Sequence, residues 1–431
     1  MVGMDRRQVL VGLGALTLAP RVAAEPRRVE IRPKVQQVIE GGRTHTLSDT
    51  IFEVPSDYAG QEIGLKIGPE AVIDVLRIRV APGAHDIDRF MQIGPGVHIG
   101  LLDVEATRQT DHSDEKLDGF VQIRADDISI EEMRFNRIDR CVLVHRAARV
   151  RIGSFECKSY SKGMRISRSR DVTIGRFRAA ASSPNAVLGK PGENGLIIYD
   201  CRRIELPEVD ISDAGEHSIY VAGGAAERFN SDIHFGQVTS RRAGLSGFKC
   251  KSPVTPARDI SIDRLDVYDS AYAAQNGKNE DALRVENCTG FRLRELTARR
   301  AERPVSCRAG IYLNGVRDFH LESGHVDSPR GPMVLITDYR DFDNDGIAIT
   351  ELNGSRLGSH GYYVHHTRGR LLSGLQVRGG VLDEVAGDAV RIEGNARIPP
   401  GTDRIRIAAR DVQGALVRGA EGVDVEVTDL G

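Results

Sequence analysis

The sequence predicts an all-β solenoid, a stack of coils built from short strands around one continuous core. Three observations carry that prediction. An apolar-x-apolar triplet recurs along the chain at a near-constant interval, and a second triplet of the same kind follows each copy. No stretch of helical periodicity separates them. The composition agrees. The 431 residues include 46 Gly, 12 Phe, 10 Tyr and no Trp, with aromatics at 5%. Abundant Gly and scarce rings suit tight corners around stacked Val, Ile and Leu.

The elements follow in chain order. Residues 1–24 combine Arg6-Arg7, a weakly apolar run from Val9 to Ala19, and Pro20-Arg21-Val22-Ala23-Ala24. A charged start, a short apolar stretch and a small-residue cleavage site make an export signal. The run is too short to span a bilayer. Arg6-Arg7 ahead of Val9-Leu10 resembles a twin-arginine signal, which implies a chain folded before export to the periplasm or medium. No later segment is long and apolar enough to cross a membrane. Residues 25–85 lack the regular repeat and are read as an N-terminal cap over the first strand edges.

From 86 to 431 the repeat is regular. The first triplet reads Val121-Gln122-Ile123, Met164-Arg165-Ile166, Ile219-Tyr220-Val221, Phe248-Lys249-Cys250, Leu283-Arg284-Val285, Ile311-Tyr312-Leu313 and Val390-Arg391-Ile392, among others. Ten steps cover the 269 residues from 121 to 390, about 27 each. Alternation at period two places one face of each strand inward. Gly100, Gly153, Gly175 and Gly236 end copies of the second triplet, where a sharp corner calls for a left-handed backbone angle. Short strands at this coil length resemble the right-handed parallel β-helix of the pectin-lyase-like superfamily. The resemblance covers about residues 86–431 and implies about 12 coils.

Stacking the copies aligns their outward residues. Tyr220, Lys249, Arg284 and Tyr312 fall in one line, with Lys251, Glu286 and Asn314 beside it and His217 and Asp281 at the strand edge. Lys249, Lys251 and Arg284 gather positive charge on a chain of net charge −2, which favours an anionic ligand. Like charges on adjacent coils favour a neutral lysine, a usable base. Arginine neutralises a carboxylate, and tyrosine protonates a leaving oxygen or stacks on sugar. This is a set for β-elimination on an acidic polysaccharide. Lys249, Arg284, Tyr220, Tyr312 and His217 are the candidate catalytic residues. Lys251, Glu286, Asn314, Tyr199, Tyr363 and Arg165 are the candidate binding residues. Some polysaccharide lyases of this fold use a Lys/Arg pair, and Lys251-Ser252 resembles their Lys-Ser element.

Asp341-Phe342-Asp343-Asn344-Asp345-Gly346 matches the start of a calcium loop, although Leu352 stands where the twelfth-position acid belongs. Ca²⁺ is therefore an optional cofactor, held by Asp341, Asp343 and Asp345, and none is required. The six cysteines are scattered, without a C-x-x-C pair, and read as free buried thiols. There is no G-x-S-x-G, H-E-x-x-H or P-loop. The near-neutral charge argues against nucleic acid. A C5-epimerase, a glycosidase using Asp281 and Glu286, and a non-catalytic glycan-binding or envelope-assembly protein remain open on the same fold.

Overall fold

Aliphatic and β-branched residues at alternate positions, broken by Gly and Asp, give the chain strand faces to bury and no helical stripe. The computed structural model has 32 strands and no helix among the described residues. These are residues 25–32, 36–58, 63–85, 87, 89–108, 110, 119–181, 193–224, 226–271, 280–300, 307–339, 342–419 and 421–431. The export-signal segment 1–24, Asp341, and residues 272–279 of the long insertion after Tyr268 lie outside them. Among the described residues, no helix is long and apolar enough to cross a membrane.

Every pairing is parallel, and the strands wind into a right-handed solenoid of about 12 coils. Two ladders run its length. The first is made of short strands and includes Val121–Ile123, Arg140–His145, Lys162–Ser167, Leu196–Tyr199, Ile219–Ala222 and Phe248–Lys251. It continues through the starts of Leu283–Arg299 and Ile311–Asp327, then Val334–Thr337, Tyr362–His366 and Val390–Gly394. The second is made of longer strands such as Ile128–Asn136, Ala148–Lys158, Arg170–Ala180, Arg202–Ser212 and Ser231–Arg241. The segment 25–85 contributes parallel strands to both ladders, Gln37–Ile39 and Leu65–Ile67 to the first and Thr50–Val54 and Val72–Val80 to the second.

The glycine corners work differently from the sequence expectation. Gly153 and Gly236 have no left-handed angle. A Cβ on Gly153 would sit 2.5 Å from the Glu131 carbonyl oxygen, and one on Gly236 would sit 2.3 Å from that of Pro207. These glycines let successive coils approach closely at the bend. The left-handed angles belong to polar residues instead. Asp127, Arg149, Asp171, Arg203, Asp232 and Asp259 all have φ between 51° and 63°. Asp–Arg pairs lock that column, with Arg149 bidentate to Asp127 (2.6 and 2.8 Å) and Arg203 bidentate to Asp171 (2.5 and 2.9 Å).

The core is one continuous column of Ile, Val and Leu. Contrary to expectation, rings are part of it. Phe135, Phe155 and Phe177 form one file at 5.7 and 4.8 Å between centroids, and Phe235, Phe248, Phe291 and Phe319 form a second at 5.4, 6.1 and 5.6 Å. Register stacks Phe155 on Phe177 and Phe291 on Phe319, while Phe248 reaches the second file from the first ladder. All six cysteines are free thiols, and five are buried.

Candidate functional site

The first ladder carries the candidate residues on its outer face. Tyr220 pairs with Lys249, Lys249 with Arg284 and Arg284 with Tyr312, one strand spacing apart each. Four adjacent coils span about 15 Å. This face is recessed rather than solvated. Gln122, Leu143 and Ile197 are buried at its outward positions, Lys249 is 7% exposed and Tyr312 is 3% exposed.

Lys249 is the centre of the arrangement. Its Nζ lies 3.0 Å from His217 Nε2, 3.5 Å from Glu280 Oε1 and 5.4 Å from the centroid of the Tyr220 ring. His217 is fully buried at the strand edge. Its Nδ1 accepts the Ser246 backbone N–H at 3.1 Å, and its Nε2 is 3.5 Å from Glu216 Oε1. The Ser246 hydroxyl donates to Glu280 Oε2 at 2.9 Å, and Asn194 Nδ2 donates to Glu216 Oε2 at 3.0 Å. Tyr220 meets the His217 ring edge-on at 5.3 Å, and burial pushes its phenol upward. It therefore keeps its proton at neutral pH.

Arg284 is tied down beside this group. Its Nε donates to Glu286 Oε1 at 2.5 Å and its Nη1 to Asp281 Oδ2 at 3.1 Å. Arg308 clamps Asp281 from the other side at 3.0 and 2.8 Å. Both guanidiniums lie over Tyr312, at 4.2 and 4.6 Å. Burial opposes the Arg284 charge, but Glu286, Asp281 and Glu280 outweigh it and hold the residue protonated. Lys249, Arg284 and Arg308 thus lie among Glu216, Glu280, Asp281 and Glu286, three basic residues against four carboxylates. The concentration of positive charge expected at these coils is not present. Their register is as predicted, but the strand edges bring in acids that the outward column does not contain.

The other candidates divide. Lys251 and Glu286 are in register, Glu286 and Asn314 are buried, and Asn314 Nδ2 lies 3.5 Å from the Tyr312 hydroxyl. Asp281 and Glu286, the candidate glycosidase pair, are both buried and both bound to Arg284. Tyr199 and Arg165 come together three coils away, with the guanidinium 5.1 Å from the ring centroid. Tyr363 lies toward the C-terminal end, where it donates to Glu393 and meets His365 Nδ1 at 2.9 Å. Asp343 accepts the Leu371 N–H at 3.0 Å, and Asp345 accepts the Ser373 hydroxyl at 2.5 Å. Both carboxylates thus serve as turn acceptors, and no group of three or more metal-ligating side chains forms among the described residues.

Glu216, Ser246, Glu280 and Arg308 were not found by sequence reasoning. They occupy the approach to each strand, where spacing varies and periodicity gives no signal. The position of Ser246 and Glu280 just before two successive triplets was the one available clue. Comparison of the chain with known family models, with curated proteins and with solved structures finds no match in any of the three.

Proposed function

We propose that the protein is an exported polysaccharide lyase that cleaves an acidic, uronate-containing glycan by β-elimination, on a fold of the pectin-lyase-like kind. The observation that carries this reading is the hydrogen bond between Lys249 and His217 at 3.0 Å. Because His217 Nδ1 accepts from Ser246, the neutral ring bears its proton on Nε2, pointing at Nζ. A lysine that accepts this N–H does so through its lone pair, the form that abstracts protons. An amine base acting on carbon needs an acidified C–H, and a uronate supplies one beside its carboxylate.

In the elimination, the C5 proton passes to Lys249 Nζ and the C4–C5 double bond forms. The C4–O bond breaks, and the leaving oxygen takes the Tyr220 phenolic proton. Arg284 and Lys251 provide the cations nearest the uronate carboxylate, and Tyr312 positions Arg284 from beneath. No step passes through Ca²⁺. The same abstraction without bond cleavage describes a C5-epimerase, which would exchange solvent hydrogen without shortening the chain.

One observation favours a second reading. Glu216 and Glu280 approach the His217–Lys249 pair from two sides, and a carboxylate pair is the equipment of a glycoside hydrolase. Product mass separates the two, because hydrolysis adds water and elimination does not. Digestion of a panel of acidic polysaccharides is expected to give unsaturated products, with Glu216→Gln retaining the same product type. Saturated products lost in Glu216→Gln or Glu280→Gln would select the hydrolase. Retention of polymer without any product would select the binder.

A further inference from the structure

Arginine in this protein is usually answered by a carboxylate. Arg149, Arg203, Arg242, Arg356 and Arg410 each hold one through two nitrogens. The early coils of the first ladder break this rule. Arg146, Arg165 and Arg168 make no ion pair with a carboxylate among the described residues. The Arg165 guanidinium lies 5.1 Å from the Tyr199 ring centroid, and its Nε is buried without a hydrogen-bond partner.

The register explains the gathering. Arg165 extends from its coil beside the column formed by Arg124, His145, Ser167 and Tyr199. Arg146 and Arg168 follow His145 and Ser167, each at a left-handed turn with φ 53°. His145 is 6% exposed, and its Nδ1 has no hydrogen-bond partner. Burial first, then Arg124, Arg146, Arg168 and Arg165, lowers it to about 4, so it is neutral at neutral pH. Asp200, an acid close enough to feel the Arg168 and Arg165 charges, is buried. It accepts the Gly224 N–H at 3.1 Å through one oxygen and leaves the other unpaired.

We propose that Arg146, Arg165 and Arg168, with the Tyr199 ring, form a binding subsite for the anionic groups of a glycan, carboxylate or sulfate. The anion's identity as part of a glycan rests on the lyase reading, whereas the site's affinity for an anion does not. Guanidinium forks bind such groups in a bidentate manner, and Tyr199 offers the adjacent sugar ring a stacking face. Arg165 and Lys249 stand three ladder steps apart, about 14 Å. A monosaccharide cannot span that distance, so the ligand that uses both sites is an oligosaccharide lying along the solenoid axis. The subsite supplies the positive charge that the Lys249 site lacks, and it places that charge toward the N-terminal end.

The test is calorimetric binding of three hexasaccharides to the full chain: an oligogalacturonate, a heparin-derived oligomer and neutral maltohexaose. The two acidic oligomers distinguish carboxylate from sulfate. At least one is expected to bind, more weakly as salt rises, and maltohexaose is not. Arg165→Ala/Arg168→Ala is expected to weaken that binding at least tenfold. Arg146→Gln, an exposed position that does not disturb the core, is expected to weaken it several-fold, and Arg165→Lys to restore part of it. Equal affinity in the double variant with an unchanged melting curve overturns the proposal. Binding of maltohexaose as tight as that of the acidic oligomers overturns it, as does failure of both acidic oligomers to bind the native protein. Lys249→Ala keeps the subsite intact, and its binding of the acidic oligomers is expected to keep its dependence on salt and on Arg165 and Arg168. Normal binding with unaltered product formation in that variant would refute the catalytic assignment and leave the subsite standing.

Discussion

Lys249 is held by groups that fix both its position and its hydrogen-bonding role. Its replacement by Ala is expected to lower turnover by about 10²–10⁴, with little change in melting temperature. Lys249→Arg is expected not to rescue, because a guanidinium stays protonated. Tyr220→Phe removes the proton donor and keeps the ring, so it is expected to lower kcat by about 10² with KM nearly unchanged. Initial rates on one confirmed substrate check all three, and an active Lys249→Arg would argue against the base. At this scale the sequence was legible wherever a residue falls in a strand. Period two and a repeated triplet place Lys249, Arg284, Tyr220 and Tyr312 correctly. Glu216, Glu280 and Ser246 fall in connections of variable length, which carry no phase. The Glu216 and Glu280 carboxylates reverse the local charge balance, so the electrostatics could not be read from the outward column alone.

Among the elements, the corner ladder shows two devices sharing one job. Arg149 sits at φ 55° and closes onto Asp127, so the turn is held by an ion pair at a conformation that L-residues disfavour. Arg149→Gly relieves the angle as it removes the pair and is expected to melt near the native temperature. Arg149→Val keeps the angle and adds a β-branch, and is expected to cost about 1–2 kcal/mol. Equal melting of the two would mean that backbone conformation is not the issue. At the C-terminal coils, hydrogen bonds from Tyr363 and then Arg391 hold Glu393 down to about 2, against an ordinary 4.5. A depressed acid contributes stability above its unfolded value and loses it as pH falls through the folded one. Glu393→Gln is therefore expected to lower the melting temperature at pH 7. It is also expected to flatten the dependence of melting on pH between about 4.5 and about 2. Glycine was legible as a corner residue but not for its reason. The sequence shows where a side chain is absent, and only the stacked carbonyl of the neighbouring coil shows why.

For the whole molecule, the stack is quasi-one-dimensional, and each coil answers mainly to its neighbours. Phe291 sits between Phe248 and Phe319 in the interior file. Phe291→Ala is expected to cost about 3–5 kcal/mol. Amide exchange is expected to quicken first in the flanking coils, and uniform quickening along the chain would contradict the one-dimensional view. The architecture was legible because a solenoid repeats its own signal many times over, so errors in single strands do not matter. The site occurs once and has no such redundancy. The central claim is that Lys249 abstracts a proton from a uronate in a cleavage that leaves a double bond. The most direct test follows absorbance near about 235 nm, where the conjugated product absorbs, as native protein and Lys249→Ala are mixed with an acidic polysaccharide that the native protein shortens. The account predicts a steady rise with the native protein and none with the variant. Chain shortening without that rise, or an equal rise with Lys249→Ala, would contradict it.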